Sequence, residues 1–362
     1  MSEQRLRANG DRLNGPARIA GVDLARGLAI VGMFAAHLLA TADAWRWADP
    51  GTWLSIVDGR SSILFASLAG VSIGLVTGGR TPLPPQQLGV ARGRLAVRAG
   101  ALFLLGILLI LTGVPVYVIL PAYAILFLLA LPFTALRART LLSAAGAIAV
   151  IMPFVQPRLN ELDLWSGPLG DEISALVGWN YPFTLWIAFV LAGLGIARAG
   201  ITRLTVQARM LVLGAALAAI GYGLAAVPPP EPGAYWYLVW NAEPHSSGLL
   251  EAIGTGGFVI AVLAVCLLLC RLPAVKAIMF PLRATGAMPL TAYTVQLLVW
   301  AGVALVTIGD TGDLYGFRML EPFWPLTIGT IVGCTLWALL VGRGPLEWAL
   351  DRAARIVPSA RG

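Results

Sequence analysis

Apolar residues fill ten long runs along the chain, at roughly 21–42, 59–79, 93–113, 116–136, 140–157, 182–199, 206–227, 250–270, 284–308 and 322–342. Short polar segments rich in Arg, Asp, Gly and Pro separate them. A helix rises about 1.5 Å per residue, so a bilayer core of about 30 Å takes about 20 apolar residues. Each run is near that length. The pattern predicts an all-α, polytopic membrane bundle of about ten transmembrane helices. Thr81-Pro-Leu-Pro-Pro85 breaks the chain before the third run. Pro115, Pro121, Pro132 and Pro153 make the fourth and fifth runs the least regular. Membrane helices tolerate such prolines because neighbouring groups satisfy the freed backbone.

Composition supports this reading. Of 362 residues, 58% are hydrophobic and 12% charged, against about 25% charged in soluble domains. One water-soluble core could not hold so much apolar surface. The net charge of +7 is no nucleic-acid signal, because the arginines stand in short clusters between apolar runs and form no basic stripe. Cys266, Cys270 and Cys334 lie inside apolar runs without metal-ligand spacing and read as small core residues. The segment Met1–Arg18 is polar and basic. The run after it is too long for a signal-peptide core and lacks a clear cleavage site, which predicts an uncleaved first span. The richness in Ala, Gly and Arg, beside a single lysine (Lys276), is the composition of a GC-rich bacterial genome.

Basic residues orient the spans. With the N-terminus inside, 21 of the 25 basic residues fall on the cytoplasmic side. Only Arg46, Arg60, Arg158 and Arg318 fall outside. The alternation holds at every loop, which supports the span count independently. Both ends are then cytoplasmic, with a tail at 1–20, a transmembrane domain at 21–342 and a second tail at 343–362. Most acidic residues and many of the Trp and Tyr residues fall in the outer loops, in part as an interfacial belt. The expected location is a bacterial plasma membrane.

The chain has two histidines, His37 and His245, both on the outer side of this topology. His37 lies within the first span. Its plain reading is a hydrogen bond between helices. Ionisable groups inside a span are costly, about 2.5–3.5 kcal/mol for Asp, Arg or Lys on insertion scales, and are usually functional. Histidine also moves protons near neutral pH. Arg26 precedes it by eleven residues, about three turns and about 16 Å, so both side chains emerge on nearly one face. A guanidinium at the cytoplasmic end suits a phosphate. An imidazole near the outer end suits a base or an acyl acceptor. The structural reading of Arg26 is a helix-end charge paired with Asp23 at i−3.

The stretch from Arg18 to His37, with Val-Asp-Leu-Ala-Arg-Gly-Leu-Ala at 22–29, resembles the first span of the transmembrane acyltransferase superfamily. That group includes acyltransferase family 3 and the catalytic domain of heparan-α-glucosaminide N-acetyltransferase. Arg26 and His37 match the Arg/His pair of family 3. The 22–29 string is closer to the heparan-glucosaminide branch and its bacterial relatives. Gly59–Gly70, Gly286–Gln296 and Gly344-Pro-Leu-Glu-Trp348 also resemble those relatives. The resemblance implies an acyl-CoA donor, most simply acetyl-CoA, taken from the cytoplasm, and an envelope glycan or glycolipid acceptor on the far side. Arg26 would contact CoA phosphate, and His37 would act as base or transient acyl carrier. One departure stands out. The heparan-glucosaminide enzymes carry an important histidine in the first outer loop, where this chain has Trp45-Arg-Trp-Ala-Asp49, and His37 falls where they carry Asn.

His245 lies in Trp240-Asn-Ala-Glu-Pro-His-Ser-Ser-Gly248, near Glu243 and Ser246. It reads either as a solvated loop residue or as a second catalytic histidine. Asp58 and Arg60 open the second span and read as an acceptor site or an interfacial salt bridge. Thr291, Tyr293 and Gln296 form a polar group in the ninth span. They either bond between helices, Thr291 to Gln296, or line the substrate path. Gly254, Gly256 and Gly257 read as a flexible entry to the eighth span. Gly70, Ser67 and Ser72 read as close helix packing.

Three functions follow from these residues. The first is an acyl-CoA-dependent O- or N-acyltransferase without a metal. The second is a transporter of a small or lipid-like molecule, which broken helices would favour. The third is a non-catalytic envelope assembly partner. Expected partners are membrane lipids, the acyl-CoA and the acceptor, with a homodimer left open and nucleic acid excluded.

Overall fold

A computed structural model describes residues 13–15, 18–41, 49–227 and 235–358. Arg5, Arg7, Arg12, Arg46, Trp45, Trp47 and Glu231 lie outside the described residues. Every regular element described is helical. The first six α-helices are α1 (Ala20–Leu38), α2 (Arg60–Val76), α3 (Pro85–Ile110), α4 (Leu120–Ala130), α5 (Ala138–Asn160) and α6 (Gly167–Val177). Then come α7 (Phe183–Ala199), α8 (Leu204–Ala225), α9 (Tyr235–Val239), α10 (Leu249–Leu269) and α11 (Pro273–Ile278). The chain closes with α12 (Phe280–Ala287), α13 (Pro289–Thr307), α14 (Leu314–Met319), α15 (Phe323–Leu340) and α16 (Pro345–Ala354).

Each of the ten apolar runs carries an apolar helix. Eight are long and apolar enough to cross a membrane, and two shorter apolar helices occupy Leu120–Ala135 and Phe183–Ala199. The protein is a multi-pass, all-α membrane protein. The ninth run departs from the expected single helix. It is split at Met288, where the backbone leaves the helical region (φ −134°, ψ 56°) before Pro289. Proline disfavours the α conformation in the residue before it and is itself well placed in a first helical turn. Pro132 likewise opens a 3-10 turn, Leu131–Ala135, that continues α4.

The helices group into two compact units. The first comprises Met1–Phe65, Leu108–Val116 and Leu263–Asp351. In it α12 packs on α1 and α15, and α13 packs on α1 and α15. Glycines set the approach of α1 and α12. A side chain at Gly27 would overlap the Leu282 carbonyl oxygen, and one at Gly286 would overlap the Asp23 carbonyl oxygen. Lipid is as apolar as a side chain, so close backbone approach and van der Waals packing must hold such helices together. The three cysteines are free and buried, as core residues should be.

The second unit comprises Ala66–Ile107, Tyr117–Val262 and Arg352–Gly362. Here α7 packs on α4 and α5. Gly70 approaches the Val190 carbonyl and Gly193 the Ser67 carbonyl, which accounts for the small residues of the second run. Arg198, only 4% exposed, donates to the carbonyls of Gly74, Thr77, Gly79 and Thr134 and to the Thr77 hydroxyl. These include carbonyls that the end of α2 leaves without intrahelical donors, and a cation there also suits the helix dipole. Gly254 and Gly257 are not a flexible entry. They lie inside α10, where their backbone meets Gly221, Gly214 and Ala218 of α8.

Candidate active site

Six of the seven candidate site residues belong to the first unit: Arg26, His37, Asp58, Arg60, Tyr293 and Gln296. His245 belongs to the second.

Arg26 sits in the second turn of α1, and the i−3 pairing is present. Its guanidinium lies 3.3 Å from the Asp23 carboxylate. Asp23 is nevertheless held chiefly by Arg18, which grips both carboxylate oxygens at 2.9 Å. Two guanidiniums thus share one buried carboxylate, which leaves a net positive charge. The Arg26 side chain is 18% exposed and that of Arg18 29%. Arg283, 1% exposed, donates to the carbonyls of Leu13 and Lys276 and to Asn14. Burial pushes its guanidinium below the ordinary value, and Asp23 opposes that shift. Arg18 and Arg26 are both partly exposed cations at this end.

The strings at 286–296 and 344–348 form one device. Glu347, at the start of α16, accepts from the backbone N–H groups of Leu290 and Thr291 at 2.8 and 3.2 Å and from the Thr291 hydroxyl at 2.6 Å. It therefore caps the first turn of α13, where N–H groups have no intrahelical partner and a negative charge is favoured. A side chain at Gly344 would strike this carboxylate. Thr291 therefore bonds to Glu347 rather than to Gln296. Glu347→Ala leaves these donors unpaired and is expected to cost about 1–3 kcal/mol. The midpoint of thermal unfolding in nanodiscs should fall, and less so for Glu347→Gln.

At the other end of α1, His37 is partly buried in the last turn. Arg318 of α14 donates to its backbone carbonyl through Nε and a terminal nitrogen, at 3.3 and 3.0 Å. Burial lowers the Arg318 pKa, and the charge of Asp58 partly offsets this. Asp58 also accepts from the Thr41 hydroxyl at 3.5 Å. Arg60 donates to the Ser55 carbonyl at 2.9 Å. His37, Asp58 and Arg318 thus form one group at this end, with Arg60 opening the helix that follows Asp58. Arg318 is the member sequence reasoning missed. Its only signal was its place among the few basic residues outside.

Tyr293 is 3% exposed and Gln296 0%, both on α13. Neither amide atom of Gln296 has a hydrogen-bond partner among the described residues.

In the second unit, the His245 ring stands edge-on to Tyr181 at 5.4 Å and parallel to Trp186 at 6.3 Å. Glu243 is engaged with Asn241. The carboxylate that organises this loop is Glu251, which accepts from the N–H groups of His245 and Ser247, both at 2.7 Å, and from the Ser246 hydroxyl at 3.3 Å. His245 and Ser247 have φ of 62° and 59°. Left-handed backbone is uncommon for such residues, and these bonds hold it.

The described residues form a multi-pass helical bundle with a cationic group at one end of its first apolar helix and a histidine at the other. Residues 18–224 match the family model described as "Heparan-alpha-glucosaminide N-acetyltransferase, catalytic". That match covers more than half of the chain, and the protein belongs to this family of membrane acetyltransferase-like proteins. Residues 196–356 match a second model, described as "Protein of unknown function (DUF418)". Arg26, His37, Asp58 and Arg60 lie in the first match. His245, Tyr293, Gln296 and Glu347 lie in the second. No curated protein and no solved structure matches the chain.

Proposed function

We propose that the protein is an acyltransferase that moves an acetyl group from cytoplasmic acetyl-CoA to an extracytoplasmic glycan or lipid acceptor. The observation that carries this reading is the division of α1 into two chemically distinct ends. Arg18 and Arg26 flank Asp23 at one end, and His37 with Arg318 and Asp58 stands about three turns away, about 16 Å along the axis. The excess of basic residues on one side supports a cytoplasmic Arg26 end. Arg26, with Arg18 beside it, binds CoA phosphate. The donor supplies an activated thioester. His37 takes the proton of the acceptor hydroxyl or amine as that atom attacks the thioester carbonyl. The new C–O or C–N bond forms, the C–S bond breaks, and His37 returns the proton to the departing thiolate. Asp58 and Arg60 orient the acceptor, and Tyr293 and Gln296 line the donor's path. His245, in the second unit, is given no step in this reaction. A bacterial plasma membrane is the setting, and a homodimer is compatible with it.

The test is acetyl-CoA binding to the protein in lipid nanodiscs. Wild type should bind, and Arg26→Ala should weaken binding about tenfold, as loss of a charged hydrogen bond does. A folded wild-type sample that binds no short acyl-CoA would sink the proposal and favour transport or a non-catalytic role.

A further inference from the structure

Gln296 is fully buried in a membrane helix, yet its Nε2 and Oε1 atoms both lack a hydrogen-bond partner among the described residues. One turn further along α13, Trp300 is also 0% exposed, and its Nε1 is likewise unpartnered. The Trp300 ring is not free to turn. It stacks on Phe317 of α14 at 4.8 Å and 8°. The hydroxyls of Thr294 on α13 and Thr327 on the adjoining α15 are buried without partners as well. Buried polar groups are nearly always bonded, so unmet ones a turn apart on one helix, at Gln296 and Trp300, ask for a ligand.

The chemistry of that ligand follows from the groups. A carboxamide offers a donor and an acceptor side by side, and its complement is another amide. An indole N–H is a donor only, and its complement is a carbonyl. The two sites are one turn apart, about 6 Å along the helix. We propose that Gln296 and Trp300 form a subsite for the pantetheine arm of the acyl-CoA donor. This inference rests on the acyl-CoA reading above. Pantetheine carries two secondary amides joined by a two-carbon bridge, a spacing close to one helical turn. Gln296 pairs with one amide, and Trp300 donates to the carbonyl of the other.

The position on α13 agrees. Thr291, in the first turn, bonds to Glu347 of α16, and α13 packs on α1, the helix that carries Arg26. Trp300 stacks on Phe317, the neighbour of the Arg318 that grips His37. Gln296 and Trp300 therefore lie between the Arg26 end and the His37 end of the unit. An arm running from phosphate to thioester must cross that interval.

The experiment is competition against labelled acetyl-CoA bound to the full chain in nanodiscs. The competitors are S-acetylpantetheine and the adenine nucleotide fragment of CoA. S-acetylpantetheine should compete with wild type. Gln296→Leu and Trp300→Phe should each weaken acetyl-CoA and S-acetylpantetheine about tenfold, the usual size of a lost hydrogen bond. Affinity for the nucleotide fragment should not change. Gln296→Leu removes polar atoms that have no protein partner, so its melting temperature should hold. If it fails to fold, Gln296→Met and Trp300→Phe carry the test. Folded variants that bind acetyl-CoA like wild type would overturn the subsite and leave buried water as the partner of these groups. Failure of wild type to bind acetyl-CoA would overturn the subsite and the acyltransferase reading together.

Discussion

His37→Ala should lower acetyl transfer about 100- to 10,000-fold, the range that general acid–base groups contribute. The acetyl-CoA affinity should stay within about twofold, because the CoA phosphates are assigned to the Arg26 end, about three turns away. The structure also separates chemistry from folding at this position. Arg318 grips the backbone carbonyl of His37 and not its imidazole. Removing the imidazole leaves that grip and the end of α1 in place, so the melting temperature should change little. Steady-state transfer, equilibrium binding and thermal unfolding measured on one preparation check all three statements. A fully active His37→Ala variant would remove His37 from the chemistry. A variant with both low activity and a collapsed melting temperature would instead assign His37 a packing role.

Gly286→Ala should be the most damaging small substitution in the first unit. The added methyl would overlap the Asp23 carbonyl oxygen and press on the Gly27 amide of α1. Neither is a flexible side chain that can swing away. The two helices must separate, and overpacking of this kind costs about 1–3 kcal/mol even where side chains can yield. The damage would reach function, because Asp23 holds Arg18 and Arg26. Gly302→Ala is the matched control. It lies on α13 with no atom within 4 Å of the added carbon, and Ala is the better helix former. It should be neutral or slightly stabilising. Size-exclusion profiles and unfolding midpoints in nanodiscs should separate the two variants by several degrees. Equal behaviour would mean that the α1–α12 crossing is looser than the structure has it.

The helices were legible in the sequence because the bilayer imposes one simple rule. The ten runs became apolar helices, eight of them long enough to cross a membrane and two shorter, with some edges displaced by up to two turns. The split at Met288 was hidden, because Pro289 interrupts the ninth run without interrupting its apolarity. Local pairs were legible too. Arg26 and Asp23 stand three apart on one helix, and their pairing follows from the turn. Long-range partners were not. Glu347 meets Leu290 across 57 positions, and Arg318 meets the His37 carbonyl across 281. No periodicity reports such distances. The Gly286–Gln296 and Gly344–Trp348 strings were noticed as a resemblance, and their physical reason is one helix cap built from both. At His245 the nearest acid in sequence, Glu243, misled. Glu251 lies six positions on, where the helix begins, and it does the holding. The glycines of α10 misled for a related reason, since glycine marks both loops and close helix crossings.

The central claim is that an acetyl group passes from CoA on one side of the membrane to an acceptor on the other. The most direct measurement uses inside-out membrane vesicles from cells making the protein, supplied externally with acetyl-labelled CoA. The account predicts that label accumulates in a lumenal glycan or lipid fraction as free CoA appears outside, that both fall about tenfold with Arg26→Ala at acetyl-CoA concentrations below saturation, and that both fall at least about 100-fold with His37→Ala. Labelled product that forms equally with both variants, or none with a folded wild type, would contradict it.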